Sequence, residues 1–181
     1  VWRLLATGGE AIQVTDLPLD VGTFRLASNT SLIAVTIDVF PDCSDLACSS
    51  QRASDKPKDT AQAFDRIFAR HWDTWSNGTI SQLFVMKLSN GVATDPVSVS
   101  GALDADVPSK PFGDATEYTF SPDATKVVFS ARIKGKSEPW STNFDLYEVG
   151  VDGSGLRNRT ESNPAWDTQP VFSRDGTQFA W

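Results

Sequence analysis

Phe120-Ser121-Pro122-Asp123-Ala124-Thr125, running on into Lys126-Val127-Val128-Phe129, reads as a strand, a tight turn and a second strand. The phrase returns as Phe172-Ser173-Arg174-Asp175-Gly176-Thr177 before Gln178-Phe179-Ala180-Trp181. A looser copy, Leu26-Ala27-Ser28-Asn29-Thr30-Ser31 before Leu32-Ile33-Ala34-Val35, has Ser28-Asn29-Thr30 where a Pro-Asp-Gly type of turn is expected. Recurrence at wide spacing marks a repeat architecture rather than one ordinary globular domain. The last copy reaches only its second strand, so the expectation is a portion of a repeat array, with the chemistry of the whole protein lying elsewhere.

Each phrase is followed by a second one, an apolar strand turning at glycine into a polar strand. Leu83-Phe84-Val85-Met86-Lys87-Leu88 enters Ser89-Asn90-Gly91, and Leu146-Tyr147-Glu148-Val149-Gly150-Val151 enters Asp152-Gly153. Asn-Gly and Asp-Gly supply the positive φ of hairpin turns. Val1-Trp2-Arg3-Leu4-Leu5 into Gly8-Gly9 and Glu10 to Thr15 matches this second phrase with no first phrase before it. Four short strands per unit make an antiparallel blade, and blades arranged radially make a β-propeller. The spacing from Phe120 to Phe172 is 52 residues, about one blade with loops, while Leu26 to Phe120 is 94. The excess falls between Val39 and Ser81, where strand alternation fails. There Asp59 to Arg70 predicts a helix, capped by Asp59 or Thr60, with Ala63, Phe64, Ile67 and Phe68 on one face. The expected organisation is all-β, a partial propeller with a helical insertion around 41–75. It comprises the end of a blade (1–16), an enlarged blade (22–100), a regular blade (114–162) and the start of another (168–181).

Composition narrows the function. With 181 residues, 40% hydrophobic content and 22% charge, the chain is ordinary for a folded protein. A formal charge of -7 with no basic stripe argues against a nucleic-acid partner. No apolar run approaches the roughly 20 residues of a membrane-spanning helix. The opening residues read as a strand, not as a secretory signal. Cys43 and Cys48 are the only two cysteines and His71 the only histidine, too few for a zinc site; no metal or cofactor is expected. A disulfide closing the Cys43–Cys48 loop fits the spacing best and implies an oxidising compartment. Two free thiols in a cytosolic protein is the alternative. Three N-x-S/T triplets, at Asn29, Asn77 and Asn158, carry no inference.

With the Pro-Asp and Asp-Gly phrases, and with Arg70-His71-Trp72-Asp73-Thr74-Trp75 leading into Ser81-Gln82-Leu83-Phe84-Val85, the chain resembles the N-terminal β-propeller of prolyl oligopeptidase-family serine peptidases. Within that family the likeness is to the acylaminoacyl-peptidase and dipeptidyl-aminopeptidase branch. The resemblance implies a periplasmic or secreted enzyme whose propeller admits oligopeptides to an α/β-hydrolase domain. The implied partners are the remaining blades, that hydrolase domain and a peptide substrate. No catalytic residue maps onto this chain: a nucleophile elbow needs G-x-S-x-G, and Gly153-Ser154-Gly155 lacks the spacing. His71, Trp72 and Trp75 are candidates for contact with substrate or with the hydrolase domain; packing within the insertion is the other reading. Asp55, Asp59 and Asp65 are acidic residues of the insertion with no Glu-Glu pair among them, and read as a solvated face. Asp123 and Asp175 are expected to brace their own turns. A TolB-like binding propeller engaging a peptide or protein is the alternative from a different class. A propeller glycosidase or lyase lacks the carboxylate pair its chemistry needs.

Overall fold

A computed structural model describes residues 1–28, 31–55, 61–64, 67–136 and 138–181. The long apolar runs of the second repeat phrases become central strands. β4 (Leu32–Val39) lies antiparallel to β7 (Ile80–Ser89) from Leu32↔Lys87 to Val39↔Ile80. Around them, β1 (Trp2–Arg3) pairs with β2 (Ile12–Gln13), and β3 (Phe24–Leu26) precedes β4. Helix α1 (Leu46–Ser54) and the hairpin of β5 (Arg70–His71) and β6 (Thr74–Trp75) intervene before β7, which continues into β8 (Val92–Ser98). Then come β9 (Tyr118–Phe120), β10 (Lys126–Ala131), β11 (Asp145–Gly150) and β12 (Arg157–Asn158), and finally β13 (Val171–Phe172) with β14 (Phe179–Ala180). The protein is mostly β. Two sheets have four strands, ordered β3-β4-β7-β8 (sheet I) and β9-β10-β11-β12 (sheet II). The β1–β2 and β13–β14 pairs stand before and after them in the chain.

The repeat is structural as well as textual. At the first turn Leu26 faces Ile33, Phe120 faces Val127 and Phe172 faces Phe179. In the second copy Ser121 Oγ (2.6 Å), Thr125 N (3.1 Å) and Thr125 Oγ1 (2.9 Å) all donate to Asp123 Oδ1. In the third, Ser173 Oγ (2.6 Å), Thr177 N (3.1 Å) and Thr177 Oγ1 (2.8 Å) donate likewise to Asp175 Oδ1. The position after each aspartate has positive φ, +56° at Ala124 and +70° at Gly176. At the start of each third strand, Leu83 N donates to Ser100 Oγ (2.9 Å) and Leu146 N to Thr160 Oγ1 (3.0 Å). The Val1 nitrogen donates in the same way to Thr15 Oγ1 (2.6 Å).

Packing follows from strand alternation. One face of sheet I (Ala34, Leu83, Val85, Val99) shares a core with Tyr118, Val127, Phe129, Tyr147 and Val149 of sheet II. Its other face (Ile33, Val35, Phe84, Met86) packs with Val14, Leu17 and Val21. The units therefore stack face to face in chain order, as sheet-on-sheet burial requires. Between the sheets the buried Tyr118 hydroxyl meets Thr23 Oγ1 at 2.8 Å, and burial pushes its pKa up to about 12. Successive turns touch as well, with Ser28 Oγ donating to Pro122 O at 3.0 Å.

One expectation fails. The helix is Leu46–Ser54, not 59–70; within the predicted segment residues 61–64 are irregular and Arg70–His71 is a strand, while Asp59, Thr60 and Asp65 lie outside the described residues. The physical cause is local. Asp45 is a true N-cap, accepting from Cys48 N at 2.7 Å, and Ser49 anchors the helix by accepting from Phe40 N at 3.1 Å. The Cys43–Cys48 disulfide, with Cα atoms 5.5 Å apart, ties the helix start to the chain before it. Phe64 and Phe68 meet the rings of Trp75 and His71 instead, and Ile67 is exposed.

Candidate functional site

β4 runs away from the repeat turns, so its far end, with the insertion, lies on the opposite rim of the stack. The connector 99–117 and the loop 132–144 return to that same rim. The β5–β6 hairpin presents His71, Trp72 and Trp75 there. Trp72 and Phe112 meet with ring centroids 5.2 Å apart, and His71 lies 6.0 Å from Phe112, 5.7 Å from Trp72 and 6.2 Å from Phe68. Phe64 stacks on Trp75 at 5.5 Å, and the Arg70 guanidinium lies 5.2 Å from the Trp75 ring. Each such pair contributes about 0.5–1.5 kcal/mol beyond burial. The cluster nonetheless stays open to solvent, with Trp72 74% and Phe112 70% exposed. The structure thus brings His71 and Trp72 together with Phe68 and Phe112, while Trp75, on the same hairpin, meets Phe64 and Arg70 instead.

Phe112 is held out by a tightly closed loop. Glu117, buried, accepts from Ser109 N (2.7 Å) and Ser109 Oγ (2.8 Å), and Gly113 N donates to Ser109 O at 2.7 Å. A Cβ at Gly113 would collide with the Ser109 backbone, so glycine is required there. No sequence signal ties Phe112 to His71, because the contact is made through the fold of the connector.

A nucleophile needs a hydrogen-bonded base, and among the described residues no serine or carboxylate is hydrogen-bonded to His71. Nor, among them, do three or more His, Cys, Asp or Glu side chains gather as a metal site. Among the described residues no helix is long and apolar enough to cross a membrane. Asp55 closes the C-terminus of α1, its N–H donating to Gln51 O and Arg52 O.

A second cluster sits on the face of sheet II turned towards β13–β14. Glu148, 6% exposed, is hydrogen-bonded by Arg157, by Lys126 Nζ at 3.1 Å and by Arg159 at 2.9 Å. Burial opposes its ionisation, but the bonds from Arg157 and Lys126 and the Arg159 charge outweigh it, and the carboxyl sits below its ordinary value. A cavity of about 620 Å³ opens between this cluster and Phe179 and Trp181. By register, Lys126, Glu148, Arg157 and Arg159 occupy the positions that Leu32, Val85, Val97 and Val99 fill in sheet I. The charge inside an apolar strand was visible in the sequence; its three partners were not.

No family model matches the chain. It is similar to dipeptidyl-peptidase 5 of Porphyromonas gingivalis, 27% identical over 147 residues, covering 81% of this chain and 19% of that protein. To dipeptidyl-peptidase 5 of Porphyromonas endodontalis it is 26% identical over 180 residues, 98% of this chain and 25% of that protein. The Aspergillus fumigatus dipeptidyl-peptidase 5 is 28% identical over 142 residues, 69% of this chain and 20% of its own length. The chain spans about a fifth to a quarter of the length of these relatives. The likeness points to a dipeptidyl-peptidase family and supports a peptidase-related function.

Proposed function

We propose that this chain is the substrate-gating propeller portion of a serine peptidase that hydrolyses oligopeptides, of the dipeptidyl type. The observation that carries the reading is the span of the likeness. Nearly the whole chain aligns with dipeptidyl-peptidase 5, yet it accounts for only 25% of the Porphyromonas endodontalis protein. The catalytic serine, histidine and aspartate then belong to an α/β-hydrolase part outside these residues, with this portion non-catalytic. Stacked sheets that repeat one turn and one third-strand hydrogen bond support a propeller built of such blades. Such a ring narrows the approach to a catalytic cavity, admitting an extended peptide and excluding a folded protein. The insertion rim, with Trp72, Trp75 and Phe112 exposed, is the face we assign to substrate or hydrolase contact. The Cys43–Cys48 bridge supports a periplasmic or secreted location.

The test compares the longer peptidase with a version lacking this portion, on dipeptidyl amides and on a folded protein. Gating predicts that deletion admits the folded protein while dipeptidyl amides are still cleaved. A deletion that leaves both rates unchanged contradicts it.

A further inference from the structure

The fold separates the N-x-S/T triplets that the sequence leaves alike. In Asn158-Arg159-Thr160 the side chains are spent on the sheet. Asn158 Nδ2 donates to Asp145 Oδ2 at 2.9 Å, and its Oδ1 accepts from Thr160 N at 3.0 Å. Thr160 is buried, and its Oγ1 accepts from Leu146 N in the bond that recurs at the start of each third strand. Asn29 lies outside the described residues.

Asn77-Gly78-Thr79 serves no strand. It follows the base of the β5–β6 hairpin, where Ser76 N donates to Ala69 O at 2.8 Å, and it precedes β7. Asn77 is exposed. Thr79 Oγ1 (2.7 Å) and Thr79 N (3.1 Å) both donate to Asn77 Oδ1, closing an Asx turn around Gly78, whose φ is +85°. Both hydrogen bonds of the Asn77 side chain thus end on Oδ1, and Nδ2 is unpaired among the described residues. We propose that Asn77 is an N-glycan acceptor, taking an oligosaccharide at Nδ2 from a polyprenyl-pyrophosphate donor.

An amide nitrogen is a weak nucleophile, because its lone pair is drawn into the carbonyl. The acceptor triplet places a hydroxyl two residues on, and here that hydroxyl is already bonded to the Asn77 amide. In the transfer, a bond forms from Nδ2 to the anomeric carbon of the sugar as the bond from that carbon to the pyrophosphate oxygen breaks. The electron pair leaves with the pyrophosphate, and the displaced amide proton passes to a base of the transferase. A glycan is bulky and hydrated and must end on the surface of the folded chain. Asn77 meets that demand; Asn158, tied to Asp145 and Thr160, does not. The Cys43–Cys48 bridge lies on the same insertion and belongs to the same oxidising route. The inference rests on the secreted location proposed above and not on peptidase activity.

Secretion of the longer peptidase from a eukaryotic host, followed by enzymatic deglycosylation in heavy-oxygen water and peptide mass spectrometry, tests it. Deglycosylation converts a glycosylated asparagine to an aspartate that carries the heavy oxygen. The expected result is label at Asn77 and none at Asn158. Asn77→Gln and Thr79→Ala should each abolish the label, whereas Thr79→Ser keeps the triplet and should retain it. Asn77→Gln changes an exposed side chain, so circular dichroism should stay that of the parent. An unlabelled Asn77, label at Asn158, or label at Asn77 that survives Thr79→Ala overturns the proposal. The host supplies both compartment and transferase, so such a failure strikes the site alone and leaves the location and the peptidase reading standing.

Discussion

Glu148→Ala is the substitution whose consequence can be worked furthest from the structure. It removes the one buried carboxylate among Lys126, Arg157 and Arg159. Breaking a fully buried ion pair costs about 3–5 kcal/mol, because the remaining charge stays without a partner or water. Here the three cations have side-chain exposures of 47%, 56% and 35% and can rehydrate. The expected loss is therefore about 1–2 kcal/mol, a fall of about 2–8 °C in Tm for a chain of this size. The pH dependence has a definite sign. A carboxyl held below its ordinary value contributes stability above that value, and the contribution is lost as pH falls through the folded-state value. The deficit of Glu148→Ala should thus be full at neutral pH and shrink in acid. Restoring the residues of sheet I by Lys126→Leu, Glu148→Val, Arg157→Val and Arg159→Val together should recover stability, since no unpaired charge remains. Urea unfolding followed by circular dichroism, at one fixed low protein concentration, reads all of this. A Glu148→Ala chain as stable as the parent at neutral pH, or a deficit undiminished in acid, refutes the reasoning.

Other substitutions probe the repeat and the rim. Ala124→Gly relieves a left-handed alanine and should stabilise by about 0.5–1 kcal/mol, whereas Gly176→Ala should cost about 1 kcal/mol, both read by urea unfolding. Tyr118→Phe leaves the Thr23 hydroxyl without its partner across the two sheets and should cost about 1 kcal/mol by the same measurement. Gly113→Ala should collide with the Ser109 backbone and release the Phe112 loop, seen as faster amide exchange over 109–117. In the longer peptidase, Trp72→Ala with Phe112→Ala should raise KM for peptides and also cost about 1 kcal/mol of stability through the lost ring contacts; an unaltered KM would return the cluster to simple packing.

The repeat could be read from sequence because its signals are local. Asp123 and Asp175 satisfy hydroxyl and amide donors within their own turns, and Asn90-Gly91 supplies two consecutive positive φ angles, +52° and +78°. The insertion resisted such reading because the helix Leu46–Ser54 is set by the Asp45 cap, a disulfide and the Ser49–Phe40 bond, none of which a periodicity count weighs. His71, Trp72 and Trp75 stood out by residue type alone, but Phe112 reaches them through a loop set by Glu117 and Ser109, a long-range arrangement. Glu148 was visible as a charge in an apolar strand, and its meaning emerged only when the register placed it at the position Val85 fills in sheet I.

The central proposal is that this chain is part of a serine peptidase and carries none of its catalytic groups. Labelling the longer peptidase and this chain with a fluorophosphonate, then mapping the adduct by peptide mass spectrometry, tests it most directly. The account predicts one modified serine in the longer protein, outside the residues of this chain, and no adduct on this chain alone. A modified serine within residues 1–181 would contradict it.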